Sequence, residues 1–354
     1  MTPEISIIMA VYNGEDYLKE TIDSIINQTF KNWELVIIND CSTDSTKDIL
    51  NEYALRDERI NVHTNEVNLK LPTSLNKAIS LSRGKYIARM DADDICLTER
   101  FDKQYNFMEN NKDIALSSCR FLTLKNGAYA SGGCGGRCDF EALQAMLLVT
   151  NPILHPGVIA KAEVMKKLNY DTTLTCTEDL ELWTRMAMNN LKIQILPEYL
   201  LIYRLHDKQI TSTTLERQHS EVMKIQNKYY SAVINKMSEE MQKFFISGIY
   251  FKENANINSY IKYAKWLKFA SKNILNKTAV CYALFEILAE YKRCAISKKD
   301  IIKAMLTFSP VFLIIEFIRR KKTAKKDLKK FLKVTKELGL KQVSGTKEFP
   351  IFSK

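Results

Sequence analysis

The chain has 354 residues, 46% hydrophobic and 26% charged, which excludes wholesale disorder and allows two domains or one large domain with an extension. Its net charge of +11 is unevenly placed. Residues 251–354 hold 24 of the 52 lysines and arginines but 8 of the 41 acids, leaving 28 basic and 33 acidic residues before them. The basic excess is therefore C-terminal and points to two regions with different partners.

The first 200 residues alternate short apolar runs with helix-patterned segments. Ile5–Met9 reads as a buried strand, and Glu15–Asn27 places Leu18, Ile22, Ile25 and Ile26 at helical spacing. Leu35–Ile38 is the next strand. Ser42, Thr43 and Asp44 supply cap-type residues for a helix through about Leu55, and Asn61–His63 forms a short third strand. Pro72 opens a helix carrying Leu75, Ala78, Ile79 and Leu81, which Gly84 ends as a C-terminal cap. Lys85–Met90 is the fourth strand and runs into Asp91-Ala92-Asp93-Asp94.

This alternation implies an α/β fold: a mostly parallel sheet flanked by helices. Ligands of such sheets bind beyond the carboxyl ends of the strands. Three polar clusters stand there: Tyr12-Asn13-Gly14, Asn39-Asp40, and Asp91 to Asp94. Three carboxylates in four residues repel one another, so a compact arrangement needs a cation or full solvation. Mg²⁺ or Mn²⁺ with a diphosphate co-ligand would supply the compensation; a solvated loop and helix cap is the plainer reading.

Beyond this point lie Asn151-Pro152-Ile153 with His155-Pro156, Glu178-Asp179 followed by Leu182-Trp183, and Tyr203-Arg204 with His206. With Ser6–Asn13, Ser24–Thr29, Glu34–Asp44 and the acidic cluster, their order over residues 4–212 resembles glycosyltransferase family 2, of the bacterial polysaccharide type, whose catalytic domain has the GT-A (Rossmann-like) fold. The resemblance implies a nucleotide-diphosphate sugar, a UDP-sugar above all, as donor to a saccharide or lipid-linked saccharide acceptor. It places the nucleotide against Ala10, Tyr12, Asn13, Asp40, Asp91 and Ala92, with Tyr12 flanking the base and Asp40 accepting a hydrogen bond from its imide. Asp91 and Asp93 match the D-x-D motif; Asp93 is the direct metal ligand, Asp91 stands nearer the ribose, and His206 is a further metal or phosphate contact. Where the family commonly has two acids after the second strand, this chain has Asn39-Asp40. The match at Asn68, Asn76 and Lys77 is loose.

Inverting displacement needs a base on the face opposite the leaving nucleotide. In the E-D motif the aspartate has that role, so Asp179 is expected to be the base, with Glu178 second; both acids also suit a helix N-terminus. His155 shapes the acceptor side without ionising, and Trp183 belongs to the core.

From about Thr214 the pattern turns helical, which divides the chain into a catalytic domain over 1–212 and a basic helical region over 213–354. The run Met305–Ile315 contains Pro310 and is too short to span a bilayer, while Arg319–Lys322 follows closely. An apolar patch beside a polybasic stretch suits attachment to the anionic inner leaflet; a buried helix with a charged face is the alternative. No nucleic-acid motif is present, so nucleic acid is not an expected partner. From Lys341 the tail reads as loosely ordered.

Cys134 and Cys138 form one close pair among eight cysteines, and a zinc site of two such pairs would need a second. The glycines around them mark a loop. Met1-Thr2-Pro3-Glu4 shows no basic and apolar leader, so a cytoplasmic enzyme with free cysteines, peripheral on the membrane, is expected. Two other readings are a metal-dependent nucleotidyltransferase and a non-catalytic membrane-associated scaffold. The first would open on a glycine-rich phosphate loop, which Met9–Gly14 is not; the acids at Asp93 and Glu178-Asp179 speak against the second.

Overall fold

The structure, a computed structural model, describes residues 2–132, 139–147, 150–207, 209, 215–234, 325–345 and 350–353. Cys134, Cys138 and the apolar and polybasic stretch of 301–322 lie outside the described residues. The N-terminal half runs β1 (Ile5–Val11), α1 (Leu18–Ile26), β2 (Trp33–Asn39), α2 (Thr46–Arg56), β3 (Ile60–Thr64), α3 (Leu71–Leu81) and β4 (Tyr86–Arg89). Strands β3, β2, β1 and β4 lie side by side and parallel. β1 and β2 are almost continuously buried, as expected of strands covered by helices on both faces.

After the short β5 (Ile95–Cys96) and α4 (Arg100–Asn110), the sheet continues through antiparallel pairings. β6 (Ile114–Lys125) pairs with β7 (Ala128–Gly132) and with β8 (Ile159–Lys161), and β8 pairs with β4. Between β7 and β8 come α5 (Phe140–Leu147) and a 3₁₀ turn, His155–Gly157. α6 (Ala162–Leu168) and α7 (Glu178–Met188) follow β8 and lead into β9 (Lys192–Arg204). β9 pairs parallel with β6 and antiparallel with β5. Two reversals at β8 leave β6, and hence β9, pointing the same way as β4. The carboxyl ends of β1, β2, β4 and β9 therefore share one edge, and the turn entering β8 reaches it too.

The sheet places its chemistry by close backbone approach at one point. Gly84 is not left-handed, so its role is not that of the expected helix cap. A Cβ there would stand 2.5 Å from the Ser6 backbone nitrogen. Absence of a side chain lets the Gly84 N–H donate to Ser6 Oγ at 2.7 Å. Ser6 Oγ in turn donates to Glu34 Oε1 at 2.6 Å, and Glu34 accepts from the Arg83 N–H at 2.8 Å. These bonds pin the entry to β4, which ends two residues before Asp91.

α8 (Leu215–Ile234) lies against α7. The chain is described again at a helix over 325–337, labelled α9, followed by β10 (Lys341–Gly345) and β11 (Pro350–Ser353). β11 pairs with β7 and β10 with β11, so both extend the catalytic sheet. Phe331 of α9 is buried with Tyr199, Leu122 and Phe352, and Asp327 pairs with the buried Arg120 of β6 at 2.7 Å. A loosely ordered tail from Lys341 is thus not what forms. The alternating residues of Gln342 to Ser344 are too polar to announce a strand, and the apolar partner Phe352 lies ten residues on.

Gly84→Ala is expected to destabilise the protein by about 2 kcal/mol, because overpacking here meets backbone rather than a flexible side chain. Urea unfolding measures it; a loss below a few tenths of a kcal/mol would show that β4 tolerates the shift.

Candidate active site

The shared edge collects the residues singled out in the sequence. After β1, Tyr12 is 52% exposed, open to a ligand rather than part of the core. Asn13 takes a left-handed φ of 53° and its Oδ1 accepts from the Thr43 N–H at 2.9 Å. The Gly14 N–H donates to Thr46 Oγ1 at 2.8 Å. The N-cap of α2 is Ser45, without a side-chain cap bond, while Asp44, expected among the cap residues, stands just before it and accepts from the Thr46 N–H through Oδ1 at 3.0 Å. The loops after β1 and β2 are thereby fastened together.

Asp40 is buried, and its Oδ1 accepts from Asn65 Nδ2 and from the Leu69 N–H, each at 2.8 Å. Asn65 Oδ1 accepts from Lys77 Nζ at 2.7 Å. Lys77 is therefore linked to Asp40 through Asn65. Asn76, its neighbour, turns the other way: Nδ2 donates to the Tyr170 carbonyl at 2.9 Å and Oδ1 accepts from the Tyr170 N–H at 2.8 Å. Ala10 and Ala92 are half-buried beside these loops.

At the end of β4, ligand oxygens of Asp91, Asp93 and Asp94 lie within 4.8 Å of one another. The buried Arg89 guanidinium holds Asp91 through both terminal nitrogens. Asp91 keeps 27% of its side-chain surface, but protein surrounds it on most sides. Desolvation raises its carboxyl to about 6, against the pull of Arg89 and with the push of Asp93. Asp94 is wholly buried, and burial followed by Asp91 and Asp93 drives it well above the usual carboxylate range. Its Oδ1 accepts from the Arg204 N–H at 2.9 Å; its Oδ2 has no partner among the described residues.

β9 delivers the next group. His206 Nε2 lies 2.9 Å from Asp93 Oδ2, and its Nδ1 is buried with no partner among the described residues. Arg204 Nε donates to the Asp93 carbonyl at 2.9 Å, while its NH2 meets Glu20 of α1. The same guanidinium lies 4.5 Å from the Tyr17 ring centroid, and Tyr17 packs against His206 at 5.0 Å. A carboxylate cluster joined by an imidazole is a donor set that fits a hard divalent cation.

A second acidic group opens α7. Thr177 is its N-cap residue but makes no side-chain cap bond. Glu178 is buried, its Oε2 lacks a partner among the described residues, and its Oε1 lies 3.8 Å from His155 Nδ1. Burial pushes Glu178 up to about 7, aided by Asp179. Burial, then Arg89, drives His155 well below its ordinary value, so this contact joins a neutral imidazole to a carboxyl rather than two ions. His155 Nε2 is 2.8 Å from Tyr170 Oη, and its ring meets Trp183 edge to face. Trp183 is fully buried, as expected of a core residue.

Asp179 is half-buried. Its Oδ2 accepts from Asn151 Nδ2 at 2.6 Å and its Oδ1 from the Leu180 N–H at 2.7 Å. Desolvation still leaves it above its ordinary value, with these bonds and Arg89 opposing. The two acidic groups feel each other: Asp91 raises Glu178, Asp179 raises Asp91, and Arg89 lowers all three. Arg89 was not singled out from the sequence. An arginine two residues before an acid cluster on a buried strand was the available signal, since a lone buried guanidinium demands a carboxylate. Asn151 appeared there in a motif without a role; its bond to Asp179 supplies one.

The matched family model is Glycosyl transferase family 2, over residues 6–165. A glycosyltransferase of Methanocaldococcus jannaschii, MJ1057, is 35% identical over 252 residues, covering 70% of this chain and 84% of its own. The O-antigen biosynthesis glycosyltransferase WbnJ of Escherichia coli is 32% identical, covering 60% and 83%. In fold the chain is similar to residues 1–349 of Staphylococcus aureus TarS in complex with UDP-GlcNAc. The TM-score is 0.55 at 19% identity, over 79% of this chain and 83% of that one. It is also similar to the mannosyltransferase PcManGT of Pyrobaculum calidifontis in complex with GDP-Man and Mn²⁺, with a TM-score of 0.53 at 15% identity over 90% and 87%. The fold is the GT-A fold, and the chain belongs to glycosyltransferase family 2.

Proposed function

We propose that this glycosyltransferase moves a hexosyl or N-acetylhexosaminyl group from a UDP-sugar to a saccharide or lipid-linked saccharide, with inversion, in the synthesis of a cell-surface polysaccharide. The observation that carries the reading is the pair of acidic groups at one sheet edge, Asp91 to Asp94 and Glu178-Asp179, with Arg89 paired to Asp91 and lowering Glu178 and Asp179. The UDP-GlcNAc complex of TarS and the names of relatives in O-antigen and teichuronic acid synthesis support the donor and the pathway class.

Tyr12, Ala10, Asn13, Asp40, Asp91 and Ala92 bind the nucleotide, with Tyr12 free to cover the base. Asp93, Asp91 and His206 would hold Mg²⁺ or Mn²⁺. Bound there, the cation would offset the charge that develops on the departing diphosphate. Asp179 takes the proton of the acceptor hydroxyl as that oxygen bonds to the anomeric carbon and the bond to the diphosphate breaks. Its raised pKa makes it a better base than a solvated aspartate, and Asn151 aims the oxygen. Glu178, raised to about 7, carries only part of a negative charge near neutrality beside the base.

Among the described residues no helix is long and apolar enough to cross a membrane. We place the enzyme peripherally on the cytoplasmic face of the membrane, on the sequence of 301–322. Truncation before this segment would also remove α9, β10 and β11 from the sheet. Replacing Arg319, Arg320, Lys321 and Lys322 by glutamine avoids that. This variant should lose flotation with vesicles containing anionic lipid; flotation equal to wild type would reject the attachment.

Asp93→Ala is expected to abolish the Mn²⁺-dependent part of UDP binding in calorimetry. Asp179→Asn should retain that binding while lowering turnover by about 10²–10⁴-fold. Metal-independent binding that survives the first change, or full turnover in the second, would remove the respective assignment.

Glu178 also makes stability depend on pH. Its pKa of about 7 lies above the value of 4.5 expected when unfolded, so the unfolded chain releases this proton first. Stability from this group is highest below pH 4.5 and declines as pH rises through 7. Glu178→Gln should therefore gain about 2–3 kcal/mol on wild type between pH 5 and pH 8 in the metal-free protein. Denaturation curves at both values test it, and parallel pH slopes would contradict the burial argument.

A further inference from the structure

A group outside the acidic site controls the approach to α7. Glu221 lies on α8, beyond the segment matched by the family model. It shares one face of the helix with Ile225 and Tyr229 at i, i+4 and i+8, and all three are buried. Tyr229 Oη donates to the Gln144 carbonyl of α5 at 3.2 Å. An apolar residue at 221 would satisfy this face more cheaply than a carboxylate, whose burial costs several kcal/mol unless compensated.

The compensation comes from the three residues that precede the Glu178-Asp179 pair. Glu221 Oε2 accepts from Thr177 Oγ1 at 2.8 Å, and Oε1 from Thr175 Oγ1 at 3.1 Å. The Thr175 N–H also donates to Oε1, at 3.3 Å, while the Cys176 N–H and Sγ–H donate to Oε2, each at 3.4 Å. Burial works against the charge, but the bonds from Thr177 and Thr175 win and hold this carboxyl below its ordinary range. Glu221 is therefore ionised at neutral pH and grips the whole turn.

The grip displaces a local interaction. A threonine at an N-cap ordinarily accepts from the second or third helical N–H. Thr177 is the N-cap of α7, yet its hydroxyl makes no cap bond and points to Glu221 instead. The orientation of the turn, and of the two acids after it, is thus set by α8 rather than by α7 itself.

We infer that Glu221 is a positioning residue: its carboxylate clasps Thr175-Cys176-Thr177 and fixes where the following Asp179 presents its oxygen to the acceptor. The inference rests on Asp179 being the base. It gives the helical region a role in turnover without contact to either substrate. A misplacement of about 1 Å can cost on the order of 10²-fold in rate.

The test uses the full chain, with nucleotide release from a panel of UDP- and GDP-sugars with Mn²⁺, water serving as acceptor. On the sugar that wild type hydrolyses best, Glu221→Ala should lower kcat about 10- to 100-fold and leave the donor KM and the Kd for UDP with Mn²⁺ within about twofold. Glu221→Gln, which keeps one acceptor oxygen, should recover part of kcat. Thr177→Val cuts the same bond from the other side and should not add fully to Glu221→Ala; it carries the test if Glu221→Ala fails to fold. Full kcat in both single variants, or a loss of UDP affinity in parallel with kcat, would overturn the clasp. Asp179→Asn separates the layers. If it turns over like wild type, the base assignment falls and the clasp with it. If it is inactive while Glu221→Ala is fully active, the clasp alone falls. No release from any sugar by wild type would overturn both.

Discussion

The site depends on one buried cation. Arg89 is 3% exposed at the end of β4, where a lone guanidinium could not persist. It is held from behind by α4: the Arg100 NH2 donates to the Arg89 carbonyl at 2.9 Å, and Arg100 Nε donates to Gln104 Oε1 at the same distance. Gln104 Nε2 donates to the Gly157 carbonyl at 2.9 Å, which fixes the turn carrying His155. Arg89 faces Asp91 directly and lowers Glu178 and Asp179 from a greater distance. Removing it would take from Asp91, Glu178 and Asp179 the counter-charge that lowers all three.

That arrangement is deliberately short of positive charge. Asp91, Asp93, Asp94, Glu178 and Asp179 share the edge with Arg89 and Arg204, while His155 is neutral. Burial raises the carboxyls of four of the five acids, and neighbouring acids add to it at Asp91, Asp94 and Glu178. A surface salt-bridge network would instead be balanced locally, like Arg59 with Asp57. Excess acid with an imidazole beside it is a donor set that fits a divalent cation.

Much of this was legible in the sequence because it is local. Buried parallel strands write themselves as continuous apolar runs, and β1, β2 and β4 stand where Ile5–Met9, Leu35–Ile38 and Lys85–Met90 announced them, to within two residues. The acids at strand ends followed from the same reading. What escaped was set by partners far away in the chain. Gly84 looked like a helix cap, but its reason is Ser6, 78 residues earlier. Glu221 gains its meaning from Thr177, 44 residues earlier; no periodicity or motif links such pairs. The C-terminal strands escaped for a different reason: β10 and β11 are short, with one buried aromatic between them, below what an alternation test can detect.

Those strands change how the basic C-terminal part relates to catalysis. The chain leaves the described core at the end of α8 and returns through Asp327 and Phe331 to the sheet edge opposite β3. The described residues on either side are both anchored: Glu221 of α8 bonds the turn before α7, and Asp327 of α9 pairs with Arg120 of β6. Whatever residues 235–324 engage, their attachment points are the acceptor-side helix and the far strands, not the nucleotide loops. The half built from β1 to β4 is joined to the rest by the pairing of β4 with β8, by Arg204 on Glu20, by Lys166 on the Ser82 carbonyl and by Asn76, which grips Tyr170.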